Sequence, residues 1–311
     1  MTNTSYKRIF WEREQALKTQ DHRGESKHDA KIALREAACA AGLPYPRISG
    51  IYSTSTWYTY HKETRLFLDF VDASGADVKH LENCRPFVSL YFDEMMERQL
   101  SAWTIHLRVA ALASMFHCRM EDFEGIKLPL RRRADIKRTR STATSSMLRF
   151  TGVRYQIIRD FITATGARRG GIAKLKKDAL SVDAGGHLRI HLDEKGGKER
   201  DARVLPECEA FVKQVFDDSP GYGPSGDYLF PKGFIPTAMA VHCFRAEYAK
   251  QLYTVLKQEG GYANGRPYCC RRDMKGIVLD RGILAEVSKN LGHNRLDVAA
   301  GNYFYIMKGP E

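Results

Sequence analysis

The chain has 311 residues, 49 of them Lys or Arg and 37 Asp or Glu, for a formal charge of +12 at pH 7. A chain of that length can bury most of its apolar surface and suggests two domains or one large one. The positive balance fits a polyanionic partner, nucleic acid first, because cations that neutralise phosphates release condensed counterions. No apolar run is long enough to span a bilayer and no secretory leader is evident, so a soluble, cytoplasmic, nucleoid-associated protein without membrane contact is expected. The seven cysteines are scattered and the ten histidines lack metal-ligand spacing, so no disulfide framework, metal or other cofactor is expected.

Residues 1–49 are charged and helical in character, with one helix expected over 27–41 and stopped by Gly42 and Pro44. They read as a helical N-terminal extension, docked or solvated. Next, Ser53, Thr54 and Ser55 offer N-caps to a helix in which Tyr60, Phe67 and Val71 recur at helical spacing, closed by Gly75. A second helix over 87–96 follows, then a third capped by Ser101 with Ile105, Val109, Leu112 and Phe116 on one face. Together these make a small helical domain over 50–126. The third helix shows Thr104, His106 and Arg108 on its other side, which could meet phosphates but would suit any solvated face.

Residues 127–140 carry seven basic side chains, Lys127, Arg131, Arg132, Arg133, Lys137, Arg138 and Arg140, against the single acid Asp135, and a Ser/Thr-rich run follows to Ser146. Such a composition cannot build a core and reads as an exposed linker over 127–146, well placed to cross a nucleic-acid backbone. Beyond it a helix carries Val153, Ile157 and Phe161 on one side and ends at Thr165-Gly166, and a short helix is expected over 168–177. Leu188, Ile190 and Leu192 alternate with polar residues as a half-buried strand, which turns at Lys195-Gly196-Gly197-Lys198 into a partner strand. Helices are expected over 207–217 and 236–258, and a final helical series from Arg271 onward. The region 147–311 is therefore mostly helical with a small antiparallel sheet, and the chain as a whole is α+β, mainly α.

Short motifs in this region gain weight from their order. Thr165-Gly166-Ala167-Arg168, Lys195-Gly196-Gly197-Lys198-Glu199-Arg200 with Val204-Leu205-Pro206 behind it, Arg271, Leu291-Gly292-His293 and then Tyr303 together resemble the tyrosine recombinase (phage integrase) family over about residues 50–305. The resemblance implies a DNA-gripping core-binding domain in 50–126 and a catalytic domain in 147–311. It carries the family's first catalytic arginine onto Arg168, the hairpin lysine onto Lys195, the second arginine onto Arg271 and the later histidine onto His293. Arg169 is set aside as the neighbour of the first. Three residues before the second arginine, where the family usually has a histidine, stands Tyr268, whose phenol is a poor base at neutral pH. The nucleophile falls on Tyr303, with Tyr305 in reserve. The Ser-Glu that often follows the first arginine is Gly170-Gly171, which removes an acid that could orient Arg168.

The chemistry so implied is a transesterification. Two guanidiniums hold the charge gathering on the phosphate oxygens, the histidine adds a hydrogen bond, the lysine protonates the leaving 5′ oxygen, and the tyrosine becomes a 3′-phosphotyrosine. The stored bond makes ATP and metal unnecessary, so no cofactor is implied. The implied partners are double-stranded DNA and further copies of the chain, as a homo-tetramer, and the implied activity is integrase-like site-specific recombination. The chain runs only eight residues past Tyr303, which leaves the coupling of subunits open. A type IB-like topoisomerase and a non-catalytic DNA-binding protein of recombinase descent are the competing readings.

Overall fold

The computed structural model describes residues 2–132, 135, 150–194, 198–262, 265–293 and 295–305, in two compact units, Met1–Asp135 and Ile136–Glu311. No helix among the described residues is long and apolar enough to cross a membrane.

The first unit is helical: α1 (Asn3–Lys18), α2 (Lys27–Ala40), α3 (Thr54–Ala73), α4 (Phe87–Glu97) and α5 (Ala102–Met115). Serine side chains begin three of them, Ser26, Ser53 and Ser101 each accepting a hydrogen bond from an N–H of the first turn, which satisfies a donor the helix itself cannot. On α5 the face of Ile105, Val109, Leu112 and Phe116 is buried against Phe67, Leu68 and Val71 of α3. The N-terminal segment is more than an extension. Ile9 and Leu17 of α1 are fully buried in the same core, and between them Arg13 donates from Nε to Thr64 Oγ1 at 2.8 Å and from Nη2 to the His61 carbonyl at 2.7 Å. A buried arginine in the middle of the stripe hides the apolar periodicity that would have announced this packing.

The second unit opens with α6 (Val153–Thr165) and the short α7 (Arg169–Ile172), followed by β1 (Leu180–Val182), β2 (Leu188–Glu194) and β3 (Lys198–Arg203) in an antiparallel sheet of that order. Then come α8 (Glu209–Asp217) and α9 (His242–Glu259), the two-stranded pair β4 (Pro267–Cys269) and β5 (Val278–Asp280), α10 (Arg281–Asn290) and α11 (Leu296–Tyr303). The buried face of α6 is Ile158, Phe161, Ile162 and Thr165, rotated from the expected one, and Val153 is 78% exposed. Three other expectations change. The helix expected over 168–177 lasts only one turn, because Gly170-Gly171 sit inside it. The helix expected over 236–258 begins only at His242, since the carbonyls of Pro236 and Met239 are held by the Arg169 guanidinium instead of a helical ladder. Arg271 opens no α-helix: it precedes a 3-10 turn, Arg272–Met274, in the connection between β4 and β5.

Candidate active site

The site is built where four chain segments converge. Gly166, closing α6 in the left-handed region at φ 61°, turns the chain so that Arg168 follows at the cap of α7. An added Cβ on Gly166 would lie 2.4 Å from the Tyr248 ring, so only glycine fits both the conformation and the space. Arg200 comes from β3, Arg245 from the first turn of α9, and His293 and Tyr303 from the turn after α10 and the end of α11. Gly292, at φ 68°, makes that turn possible and passes so close to the arginines that an added Cβ would meet Arg200 Cδ at 2.9 Å and Arg168 Nη1 at 3.3 Å.

Backbone carbonyls hold three guanidiniums side by side. Leu291 O accepts from Arg168 Nη2 and from Arg245 Nη2, both at 3.1 Å. Gly166 O accepts from Arg200 Nη2 at 3.0 Å and from Arg245 Nη1, and Asn290 O accepts from Arg200 Nη1. One carboxylate, Glu194 at the end of β2, joins all three: it contacts Arg168, lies 2.8 Å from Arg200 Nη2 and 3.7 Å from Arg245 Nη1. Three cations against one anion, with Arg200 and Arg245 essentially buried, leave an excess of positive charge in a region of low dielectric. That excess suits an anion. Burial, then Arg245, pulls Arg168 down to about 10 and Arg200 down to about 9, so both remain cationic at neutral pH.

The phenol of Tyr303 sits on this cluster. Its ring packs against the Arg245 guanidinium 5.8 Å from the ring centre, Arg245 Nη2 donates to its hydroxyl at 3.4 Å, and the hydroxyl lies 3.2 Å from His293 Nε2. Arg168 Nη2 is 3.4 Å from that same Nε2. An arginine can only donate, so Nε2 is the acceptor there, and its single lone pair is shared between the Arg168 N–H and the Tyr303 O–H until a bound anion takes up the arginine. The arrangement can bind a tetrahedral anion and can withdraw a proton from a phenol beside it.

The structure thus brings Arg168, His293 and Tyr303 together, and leaves other expected residues elsewhere. Arg271 is exposed, and among the described residues no hydrogen bond or ion pair joins it to the cluster; the arginine in that place is Arg245. Tyr268, in β4, packs at the edge of the core beneath α9 to α11, with its phenol raised by burial and then by Cys270. The signal for the missed residue is in the sequence: His242-Cys243-Phe244-Arg245 has a histidine three residues before an arginine, the spacing sought at Tyr268 and Arg271. It is masked by an expected helix start six residues too early, which puts these residues in mid-helix. Lys195 lies outside the described residues.

The residues expected to meet DNA in the first unit also separate. Arg108 turns inward, paired with Glu63 at 3.0 Å and donating to the Tyr91 hydroxyl at 3.0 Å, because Glu63 is buried on α3 and needs a counter-charge. His106 Nε2 is 2.9 Å from the Pro129 carbonyl, and Arg131 lies over the Trp103 ring at 5.0 Å. Arg132 is exposed, while Arg133, Lys137, Arg138 and Arg140 lie outside the described residues.

Among solved structures, the chain is similar to the XerH site-specific recombinase bound to its palindromic difH substrate in a post-cleavage complex. The alignment covers 99% of this chain and 95% of that one at 15% identity, with a TM-score of 0.55. The pre-cleavage complex of XerH aligns over 99% of this chain and 96% of that one at 14% identity and a TM-score of 0.53. The fold is that of a tyrosine recombinase. No protein-family model and no curated protein matches the chain. The recombinase fold accounts for the convergence of α6, the β2–β3 hairpin, α9 and the α10–α11 turn on one point.

Proposed function

We propose that the protein cleaves and rejoins DNA strands as a site-specific tyrosine recombinase, with Tyr303 as nucleophile. The observation that carries this reading is the Tyr303 hydroxyl, held within hydrogen-bond distance of both Arg245 and His293 at the edge of a cluster of guanidiniums. A binding site for DNA alone would need the charge but no phenol so placed.

In this reading a phosphodiester docks at Arg168, the partly exposed member of the cluster, with the buried charge of Arg245 and Arg200 behind it stabilising the negative charge that gathers on the phosphate. His293 Nε2 takes the Tyr303 proton, the phenolate oxygen attacks phosphorus, and the bond to the 5′ oxygen breaks. The departing oxygen collects a proton from Lys195, and the imidazolium left on His293 donates to the phosphate. Arg245 takes the role expected of Arg271, and His242 stands in the relation to it expected of Tyr268. DNA would be bound as a duplex, by a tetramer of the chain, with the basic residues of 127–140 contributing phosphate contacts. The reverse reaction, a 5′ hydroxyl attacking the phosphotyrosine, rejoins strands without ATP.

The test is a covalent adduct. DNA fragments bound by the protein in cells are sequenced, and a nicked suicide substrate is built from them. Wild type should give a protein–DNA adduct on a denaturing gel, Tyr303→Phe none, and Tyr305→Phe an adduct of near wild-type yield. Loss only in Tyr305→Phe would move the nucleophile by two residues. Tight binding of that substrate without any adduct would point to a non-catalytic DNA-binding protein, and relaxation of supercoiled plasmid without site preference to a topoisomerase.

A further inference from the structure

The inner face of β2 reads Leu188, Ile190, Leu192, Glu194, every one of them buried, so a carboxylate occupies the position where strand alternation calls for a fourth apolar residue. Glu194 is only 3% exposed, and burying a carboxylate costs several kcal/mol unless it is closely paired. Its partners are the three guanidiniums of the site: Arg168, Arg200 at 2.8 Å and Arg245 at 3.7 Å. Opposite it, Gly171 of α7 presents no side chain, and a Cβ built there would lie 3.6 Å from Glu194 Cγ in ordinary contact. Strand and helix therefore share one acid between them, supplied from the strand.

We propose that Glu194 is the positioning residue of this site, the anchor that holds Arg168, Arg200 and Arg245 together as one anion-binding cluster. The inference rests on the recombinase reading for its meaning, but its geometry concerns the anion site alone. Three like charges this close repel, and carbonyl acceptors fix their directions without offsetting that repulsion. The carboxylate does both. It also replaces the acid that Gly170-Gly171 removes from α7, because the two positions face the same space.

Charge balance alone and positioning make opposite predictions. Glu194→Gln removes one negative charge next to the site, so if Glu194 merely lowers the charge, inorganic phosphate should bind the variant more tightly. If it positions the arginines, phosphate should bind about tenfold more weakly, since misplaced groups lose binding despite their charge. The double variant Gly171→Glu/Glu194→Ala, which returns the acid from the helix side, should recover affinity to within about threefold of wild type. Phosphate affinity is measured by isothermal titration on the full chain, with thermal melting beside it and adduct formation on the suicide substrate as a separate arm.

Weaker phosphate binding in Glu194→Gln, with recovery in the double variant, supports the assignment. Equal or tighter binding in Glu194→Gln overturns it, as does a wild type that binds no phosphate at millimolar concentration. Should Glu194→Gln fail to fold, the double variant decides, and a folded double variant with weakened phosphate binding overturns the assignment. Phosphate binding that follows the expected pattern in a wild type that forms no adduct would sink the recombinase reading while leaving Glu194 in its role.

Discussion

At the scale of single residues, the proposed function makes Arg245, which stands beside Arg168, matter more to cleavage than Arg271. Arg245 is wholly buried against Tyr303 and shares the Leu291 carbonyl with Arg168, so Arg245→Ala should lower the rate of adduct formation at saturating DNA by about 100-fold or more. Arg271→Ala, which removes an exposed side chain, should change that rate by less than about threefold and show itself mainly in DNA affinity. Burial, then Arg245, lowers Arg168 and Arg200 from the ordinary guanidinium value, but the paired carboxylate of Glu194 opposes that shift, and a guanidinium keeps its charge across the working pH range.

At the scale of elements, the end of α6 is the most exacting piece. The Gly166 carbonyl accepts from Arg200 and Arg245, its φ is 61°, and its Cα faces the Tyr248 ring, whose hydroxyl donates to the Arg203 carbonyl at 2.7 Å. Gly166→Ala should destabilise the second unit by at least about 2 kcal/mol, through left-handed strain and the overlap with Tyr248, read as a shift in urea midpoint. The start of α10 offers a milder contrast. Asp280 accepts from the N–H groups of Gly282 and Ile283 at 2.8 and 3.0 Å, and Asp280→Ala should cost about 1 kcal/mol. The capped helices of the first unit could be read directly from Ser53 and Ser101, since a cap and an apolar stripe are local features. The start of α9 could not. Its boundary is set by Arg169 holding the carbonyls of Pro236 and Met239, a contact across nearly seventy residues of chain, for which the local sequence has no mark.

At the scale of the whole molecule, the charge of +12 bears on affinity more than on chemistry. If the chain engages duplex DNA through several phosphate contacts, the logarithm of its binding constant should fall linearly with the logarithm of salt concentration, with a slope of about −0.9 for each phosphate neutralised. A slope near zero in a filter-binding titration would remove DNA as the partner. The first unit has its own core, reaching from Ile9 and Leu17 of α1 to Phe123. Residues 1–135 should therefore melt cooperatively on their own, and a version begun at residue 50 should not, because it leaves Thr64 and the His61 carbonyl without the Arg13 donors and opens the cavity of two aliphatic side chains.

The mainly helical class was legible in the sequence, and so was a composition change near the basic run; local motifs also singled out Arg168, His293 and Tyr303, which the fold places side by side. Each is announced by a local pattern: a composition change, a glycine turn, or residues in a fixed order. Only the tertiary structure decided which arginine stands beside Arg168, that Arg108 faces Glu63 instead of solvent, that α1 belongs to a core, and that an acid on β2 serves the cluster. The physical reason is common to all four. A buried charge is placed by its partner, and the partners of Arg245, Arg108, Arg13 and Glu194 each come from an element other than the charge's own.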